Sequence, residues 1–260
     1  MTAQLAGRIA CVTGATRGVG RHIALTLAAA GAELVIVGRD ADMASEVAAR
    51  AAELGRKSWC CAADLSVPDT LAPALAAAGA PVGDIDILVC AAGLSLRHAP
   101  VWTYDASDYR ACFDLNVFGV LQAVNTVLPG MMARRSGRIV AIGGTYGYRG
   151  VAGSSLYAAS KWALRGLIKS VAMDAGPFGV TANIVAPGGI DGEKLRAQFA
   201  QSAVREGLSE QAVHDRFAAR SAMRQLVSEA DVAAMVLFAV SDAAARITGQ
   251  DLLVDGGTVV

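Results

Sequence analysis

Seven short apolar runs, each followed by a stretch of different periodicity, constrain the fold of this chain more than any other feature. They fall at residues 8–13 (RIACVT), 33–37 (ELVIV), 58–63 (SWCCAA), 86–91 (DILVCA), 137–142 (GRIVAI), 180–185 (VTANIV) and 250–254 (QDLLV). Runs this short, rich in β-branched and small residues, read as strands buried on both faces. Between them, helices are expected over 22–30, ending at Gly31, and over 41–54, ending at Gly55. Further helices are expected within 69–78, around 105–128, over 157–175, in the charged region 193–220 and over 229–241. Strands alternating with helices make a mainly parallel sheet covered on both faces. No linker, low-complexity segment or internal repeat interrupts the pattern, so a single domain over 1–260 is expected.

Composition excludes several classes of protein. Apolar residues make up 54% of the chain, too many for disorder, and 23 basic residues balance 23 acidic ones. That balance gives no field for nucleic acid or an anionic membrane. No apolar run reaches the length of a bilayer span, and the stretch MTAQLAGRIACVTG lacks a signal-peptide pattern. The five cysteines (Cys11, Cys60, Cys61, Cys90, Cys112) stand singly or adjacent, with no CxxC. They read as buried thiols of a reducing cytoplasm, not as a disulfide framework or zinc site. Three histidines leave little material for a histidine metal centre.

Two motifs carry chemistry. The first, Gly14-Ala15-Thr16-Arg17-Gly18-Val19-Gly20, lies where the first strand turns into the first helix. There Gly14 permits the tight turn, and Gly18 and Gly20 let backbone approach a pyrophosphate at the helix N-terminus. Past the second strand stands Arg39, with Asp40 one step on. An arginine there suits the 2′-phosphate of NADP, whereas an acid suits the 2′-hydroxyl of NAD. Arg17 could reach the same phosphate, so NADP is expected, with NAD as the alternative. The second motif is Tyr157-Ala-Ala-Ser160-Lys161. Residues four apart share a helix face, and an ammonium beside a phenol is expected to lower its pKa towards a useful proton donor and acceptor.

Taken in order, TGATRGVG, Asp64-Leu65, Ala91-Ala92-Gly93, Asn116, YAASK, Asn183 and Pro187-Gly188 resemble the short-chain dehydrogenase/reductases over essentially the whole chain. That resemblance implies a doubly wound, Rossmann-like α/β fold with a seven-stranded parallel sheet, nicotinamide-dependent redox at an alcohol or ketone, and a homotetramer, with a dimer possible. It implies Tyr157 as general acid in reduction and base in oxidation, and Lys161 as the group that lowers its pKa and holds the nicotinamide ribose. Asn116 is implied in a water and backbone relay to that lysine. Asp64, followed by Leu65, is implied at the adenine, and Ala92 and Gly93 along the cofactor. Asn183, Pro187, Gly188 and Ile190 are implied around the nicotinamide.

Two positions depart from the family pattern. Cys90 and Ala91 replace asparagines, at the cost of a strand-capping hydrogen bond. Gly144 stands where the family carries a catalytic serine, thirteen residues before the tyrosine. Thr145 is the first stand-in, with Ser154 or Ser155, a substrate group or a trapped water as the others. The substrate side is expected from loops at 94–102 and 146–155 and from a lid at about 189–223, whose inner face takes Phe199 and Phe217. Arg97 and Arg149, with Trp102, Tyr146 and Tyr148, suit a polar or anionic group beside an apolar body. The expected activity is interconversion of a ketone or aldehyde with an alcohol. A 3-oxoacyl thioester reductase and a redox-impaired nucleotide-binding module are the alternatives.

Overall fold

All seven runs are strands and all their pairings are parallel. They are β1 (Ile9–Thr13), β2 (Glu33–Gly38), β3 (Ser58–Ala62), β4 (Ile87–Cys90), β5 (Gly137–Ile142), β6 (Val180–Pro187) and β7 (Asp251–Val254). The computed structural model describes residues 4–260; Met1, Thr2 and Ala3, the start of the stretch read above for a leader, lie outside the described residues. The strand order is β3-β2-β1-β4-β5-β6-β7. From β1 the chain winds outward to β3, returns to place β4 on the other side of β1, and winds outward again. At the β1/β4 boundary the connections leave in opposite directions, which opens a crevice at the carboxyl ends of those strands.

Side-chain alternation along each strand divides the interior into two layers. Ala10, Val12, Leu34, Ile36, Ile87, Val89, Val140 and Ile142 face one way, towards α1 (Gly18–Ala29), α2 (Ala41–Glu53) and α9 (Glu229–Val240). Cys11, Val35, Val37, Leu88, Cys90, Ile139 and Ala141 face the other. There they meet α3 (Leu71–Ala77), α5 (Gly119–Arg134) and α6 (Ser155–Ala175), with α4 (Ala106–Phe113) leading into α5. The region 193–220 folds as α7 (Glu193–Glu206) and α8 (Glu210–Ala218) around a small separate cluster of Phe199, Ala203 and Val213. Phe217 packs on Phe199 there, with ring centroids 5.4 Å apart.

Three expectations are corrected. Cys60 is exposed, because β3 is an edge strand and alternation turns that side chain outward, while the other four thiols are buried. Burial pushes the Cys61 and Cys90 thiols up to about 11 and about 12, so neither is a ready nucleophile. The helix α1 begins at Gly18, ahead of the predicted His22, because the glycines of the turn already form its first turn. Finally, the 29 residues from Ala106 to Arg134 run as one helix, with an 18-residue stretch of mean hydropathy 1.4, long and apolar enough to cross a bilayer by length and composition. Polar residues interrupt the run, which is why no unbroken apolar segment stands out in the sequence. Inside this domain, the face carrying Val120, Val124 and Val127 packs in the core.

The crevice depends on Gly14. Its φ is +68°, and a Cβ there would lie 2.7 Å from the Ala92 backbone. Gly14→Ala therefore imposes both a left-handed strain and an overlap with backbone that has no side chain to move aside. We expect it to destabilise the protein by roughly 1–3 kcal/mol or more, read as a lowered midpoint in urea unfolding. An unchanged midpoint would show that the turn can shift without cost.

Candidate active site

The glycine-rich turn closes over the end of β1. A Cβ at Gly20 would meet the Gly14 carbonyl at 2.2 Å, and Gly18 has a φ of +54°, with Glu229 Oε1 3.7 Å from where its Cβ would be. Arg17 is the N-cap of α1 in an extended conformation and gives it no side-chain cap. The amide N–H groups of the first turn, including that of Val19, are thus left for an anion. Thr16 is buried against Gly38, where a Cβ would meet the Thr16 methyl at 2.4 Å. A cradle that excludes side chains and leaves a helix start uncapped fits the pyrophosphate of a dinucleotide.

At the end of β2 the two rival residues separate clearly. Asp40 caps α2, its Oδ1 accepting from the N–H of Asp42 at 3.1 Å and of Met43 at 3.0 Å. Arg39 is exposed over 66% of its side chain and stands 3.8 Å from Asp64. Hydrogen bonds from the Ser66 hydroxyl and N–H hold the Asp64 carboxyl below the usual range, with Arg39 adding to the effect. Leu65 beside it is buried. Past β4, the Ala92 N–H donates to the Thr13 hydroxyl at 3.4 Å and the Ala91 N–H to the Thr13 carbonyl at 3.1 Å. Thr13 thus supplies part of the capping that the missing asparagines would have given.

Between α4 and α5 the helix widens into a π-turn, Asp114–Phe118, and this irregularity carries Asn116 into the core. Its Oδ1 accepts from the Leu94 N–H at 2.7 Å. Its Nδ2 donates to the Leu94 carbonyl at 2.9 Å and to Ser160 Oγ at 3.0 Å, with Cys112 Sγ at 3.4 Å. One amide thus joins the segment after β4, the π-turn and α6. Sequence reading missed Ser160, although its position three residues after Tyr157 put it on the inner side of α6. Gly93 lies within this group, since a Cβ there would come 3.4 Å from Asn116 Oδ1 and 3.8 Å from Lys161 Nζ.

Lys161 is buried, its Nζ donating to the Ile142 carbonyl at 2.9 Å and standing 5.6 Å from the centre of the Tyr157 ring. Burial brings its pKa down to about 8, opposed by Cys112 and aided by Lys194. Tyr157 behaves contrary to the sequence expectation. Burial first, then the phenol of Tyr146 and the thiol of Cys112, push its pKa up to about 12. The ammonium does not offset this because it is turned to the Ile142 carbonyl. Tyr146 meets Tyr157 edge to face, with centroids 5.7 Å apart and planes at 72°.

The remaining predicted residues scatter. Thr145 is buried at the start of a short turn, Thr145–Gly147, directly after Gly144. Pro187 ends β6, the Gly188 N–H donates to the Val254 carbonyl, and Ile190 bridges to Val227. Asn183 lies fully buried earlier in β6, bonded to the Ile247 carbonyl and the Gln250 N–H. It ties down the approach to β7, far along the strand from Pro187. Arg97 is committed to Asp108, at 2.9 Å, and to the Thr103 carbonyl, at 2.8 Å. Tyr148 is turned away under the Arg165 guanidinium, 4.0 Å from its ring centre. Arg149 keeps a buried Nε with no partner.

This geometry has close parallels. A family model described as Enoyl-(Acyl carrier protein) reductase matches residues 14–259. The 3-oxoacyl-[acyl-carrier-protein] reductase of Escherichia coli (strain K12) is 35% identical over 253 residues, spanning 96% of this chain and 97% of the relative. The crystal structure of a gluconate 5-dehydrogenase from Burkholderia cenocepacia J2315, in complex with NADP and tartrate, superposes with a TM-score of 0.89. It is 31% identical and spans 99% of this chain and 97% of its own. A 3-oxoacyl-[acyl-carrier protein] reductase from Brucella melitensis, with bound NAD, gives a TM-score of 0.87 at 26% identity over 99% of this chain and 94% of its own.

Replacing Asn116 by alanine would leave the Leu94 amide and the Ser160 hydroxyl without this partner in a buried site. We expect a loss of about 1–3 kcal/mol in urea unfolding, with faster hydrogen exchange at the Leu94 amide. Exchange at wild-type rate there would show that Asn116 does not hold the segment.

Proposed function

The chain belongs to the short-chain dehydrogenase/reductase family, and we propose that it interconverts a ketone or aldehyde with an alcohol, using NADP(H) and Tyr157 as the proton donor and acceptor. The observation that carries this reading is the grouping at the carboxyl ends of β4 and β5, where Gly93 stands between the Asn116 amide and Lys161, and Lys161 Nζ lies 5.6 Å from the Tyr157 ring centre. When bound, the reduced nicotinamide supplies the hydride. Gly14, Thr16, Gly18, Val19 and Gly20 would hold the pyrophosphate, and Ala92, Gly93, Pro187, Gly188 and Ile190 would line the rest of the dinucleotide. Tyr157, neutral at physiological pH, gives its proton to the carbonyl oxygen during reduction and takes it back during oxidation. Lys161 supports the phenolate so formed, and Asn116 organises the relay that returns a proton to it.

The preference for NADP rests on what Asp40 and Arg39 are doing. Asp40 is spent on capping α2, whereas the exposed Arg39, 3.8 Å from Asp64, would turn to a 2′-phosphate, with Arg17 at the N-cap of α1 as the second guanidinium. The relatives include both an NADP and an NAD complex, so the choice has to come from this chain's own residues. A 3-oxoacyl thioester is the second substrate class, favoured by the 35% identity to the Escherichia coli enzyme. The same reading makes the protein a cytoplasmic homotetramer without nucleic-acid or membrane partners. Exposed Trp162, Met173 and Leu253 support contact between subunits.

Tyr157→Phe should lower turnover on a panel of ketones and 3-oxoacyl thioesters by about 10²-fold or more, with NADPH affinity unchanged. Full turnover in this variant would overturn the assignment. NADPH should bind more tightly than NADH, and Arg39→Ala should abolish the difference. Asp40→Ala should cost about 1 kcal/mol of stability without altering that ratio. A tighter NADH would reverse the cofactor assignment.

The value for Lys161 sets a pH dependence. Its ammonium is present below about 8 and lost above, while the phenol stays protonated on both sides. The kcat/KM for reduction should therefore fall as pH rises through about 8, and Lys161→Met should flatten that limb. A wild-type profile flat to pH 10 would remove the charge of Lys161 from the mechanism.

A further inference from the structure

We propose that Tyr146 donates the second hydrogen bond to the substrate oxygen, the one that no side chain at Gly144 can give. The proposal rests on Tyr157 as the proton donor and adds a partner to it. Tyr146 is the central residue of the turn Thr145–Gly147, two positions past Gly144. That turn is tightly held. The Gly147 N–H donates to the Gly144 carbonyl at 2.9 Å, and Arg165 Nη1 donates to the Gly147 carbonyl at 2.7 Å. A Cβ on Gly147 would lie 3.1 Å from the Lys161 carbonyl, so the turn rests directly on the α6 segment that carries the catalytic pair. Tyr146 therefore has a fixed position relative to Tyr157, and the edge-to-face contact at 5.7 Å is where that position puts it.

Gly144 leaves room for this arrangement. Its backbone has φ +156° and ψ +156°, and a Cβ there would meet nothing nearer than the Pro187 carbonyl at 3.9 Å. The space a serine would fill is therefore open. Other hydroxyls in the stretch are less suited to fill it. Thr145 is buried, the Tyr148 hydroxyl is buried under Arg165, and the Ser155 hydroxyl is buried with no partner. Ser154 sits at the N-cap of α6, at the far end of the loop. Tyr146 is half-buried, and its phenol is close enough to be, after burial, the largest influence on the Tyr157 phenol.

The chemistry divides between the two phenols. In reduction the hydride adds to the carbonyl carbon, the carbonyl π pair moves to the oxygen, and that oxygen takes the Tyr157 proton. The Tyr146 O–H donates a hydrogen bond to the oxygen's other lone pair. A donor aimed at developing oxyanion charge is worth about 10²–10³ in rate.

Tyr146→Phe keeps the ring and its edge contact, so it tests the hydroxyl alone. We expect turnover to fall about 10²-fold, with the melting temperature and NADPH affinity unchanged. Affinity for the product alcohol in the presence of oxidised cofactor should fall several-fold, measured by calorimetry. Serine introduced by Gly144→Ser should restore at least tenfold in the Tyr146→Phe background and add little to the wild type. Any backbone strain it brings is common to both backgrounds and cancels in the cycle. The proposal is overturned if Tyr146→Phe stays within twofold of wild type while Tyr157→Phe is inactive. It is also overturned if Thr145→Ala carries the loss instead, or if serine helps both backgrounds equally. Should Tyr157→Phe also retain turnover, the underlying assignment of the proton donor fails first.

Discussion

One buried amide sets the geometry of the whole site. Asn116 satisfies both the donor and the acceptor of Leu94 and donates to Ser160 as well. The chain leaving β4 and the helix bearing Tyr157 and Lys161 are thereby fixed relative to each other by a side chain from a third element. A regular helix would carry residue 116 at a different rotation, and the π-turn is what brings its amide to this point. Because the amide is almost wholly buried, leaving its partners unpaired costs a full desolvation penalty, which makes the arrangement stiff. Gly93, where an added Cβ would come within van der Waals distance of that amide and of Lys161, inherits its position from the same knot.

Burial, not mutual attraction, governs the electrostatics of the pair above it. Desolvation moves Tyr157 and Lys161 in opposite senses, the phenol up to about 12 and the ammonium down to about 8, and each shift favours the neutral form. For the proposed reduction this is a workable resting state. The acid is fully protonated, and the lysine is close enough to its titration range to exchange protons with solvent. The Ile142 carbonyl holds Nζ at the end of β5. The sheet, and not the tyrosine, is therefore the lysine's anchor among the described residues.

Much of this was legible in sequence, and the exceptions share a cause. Strands buried on both faces advertise themselves as short apolar runs, and a glycine turn between a strand and a helix has few other uses. The rival readings of Asp40 were also nearly legible, because an aspartate just before an alanine-rich run is a helix cap. Features that depend on contact across the fold were not. Arg97 reads as a free cation until Asp108 is placed beside it, and Asn183 reads as a site residue until Ile247 and Gln250 claim its amide. The ionisation of Tyr157 failed for the same reason, since spacing shows that a lysine is near but not which acceptor its ammonium has taken.

The glycine at 144 shows how local freedom and distant chemistry are linked. A side chain there would discourage the backbone conformation that Gly144 adopts, and the turn that follows starts from that conformation. The turn directs Tyr146 against Tyr157, while its closing glycine must be small because the backbone of α6 lies against it. Losing a hydroxyl at 144 and gaining a phenol at 146 are therefore not independent features of the sequence. The first opens the space and sets the backbone, and the second occupies the direction so created. A serine in place of Gly144 would pull against this geometry even as it restored a donor, so its benefit should depend on whether the Tyr146 hydroxyl is already there.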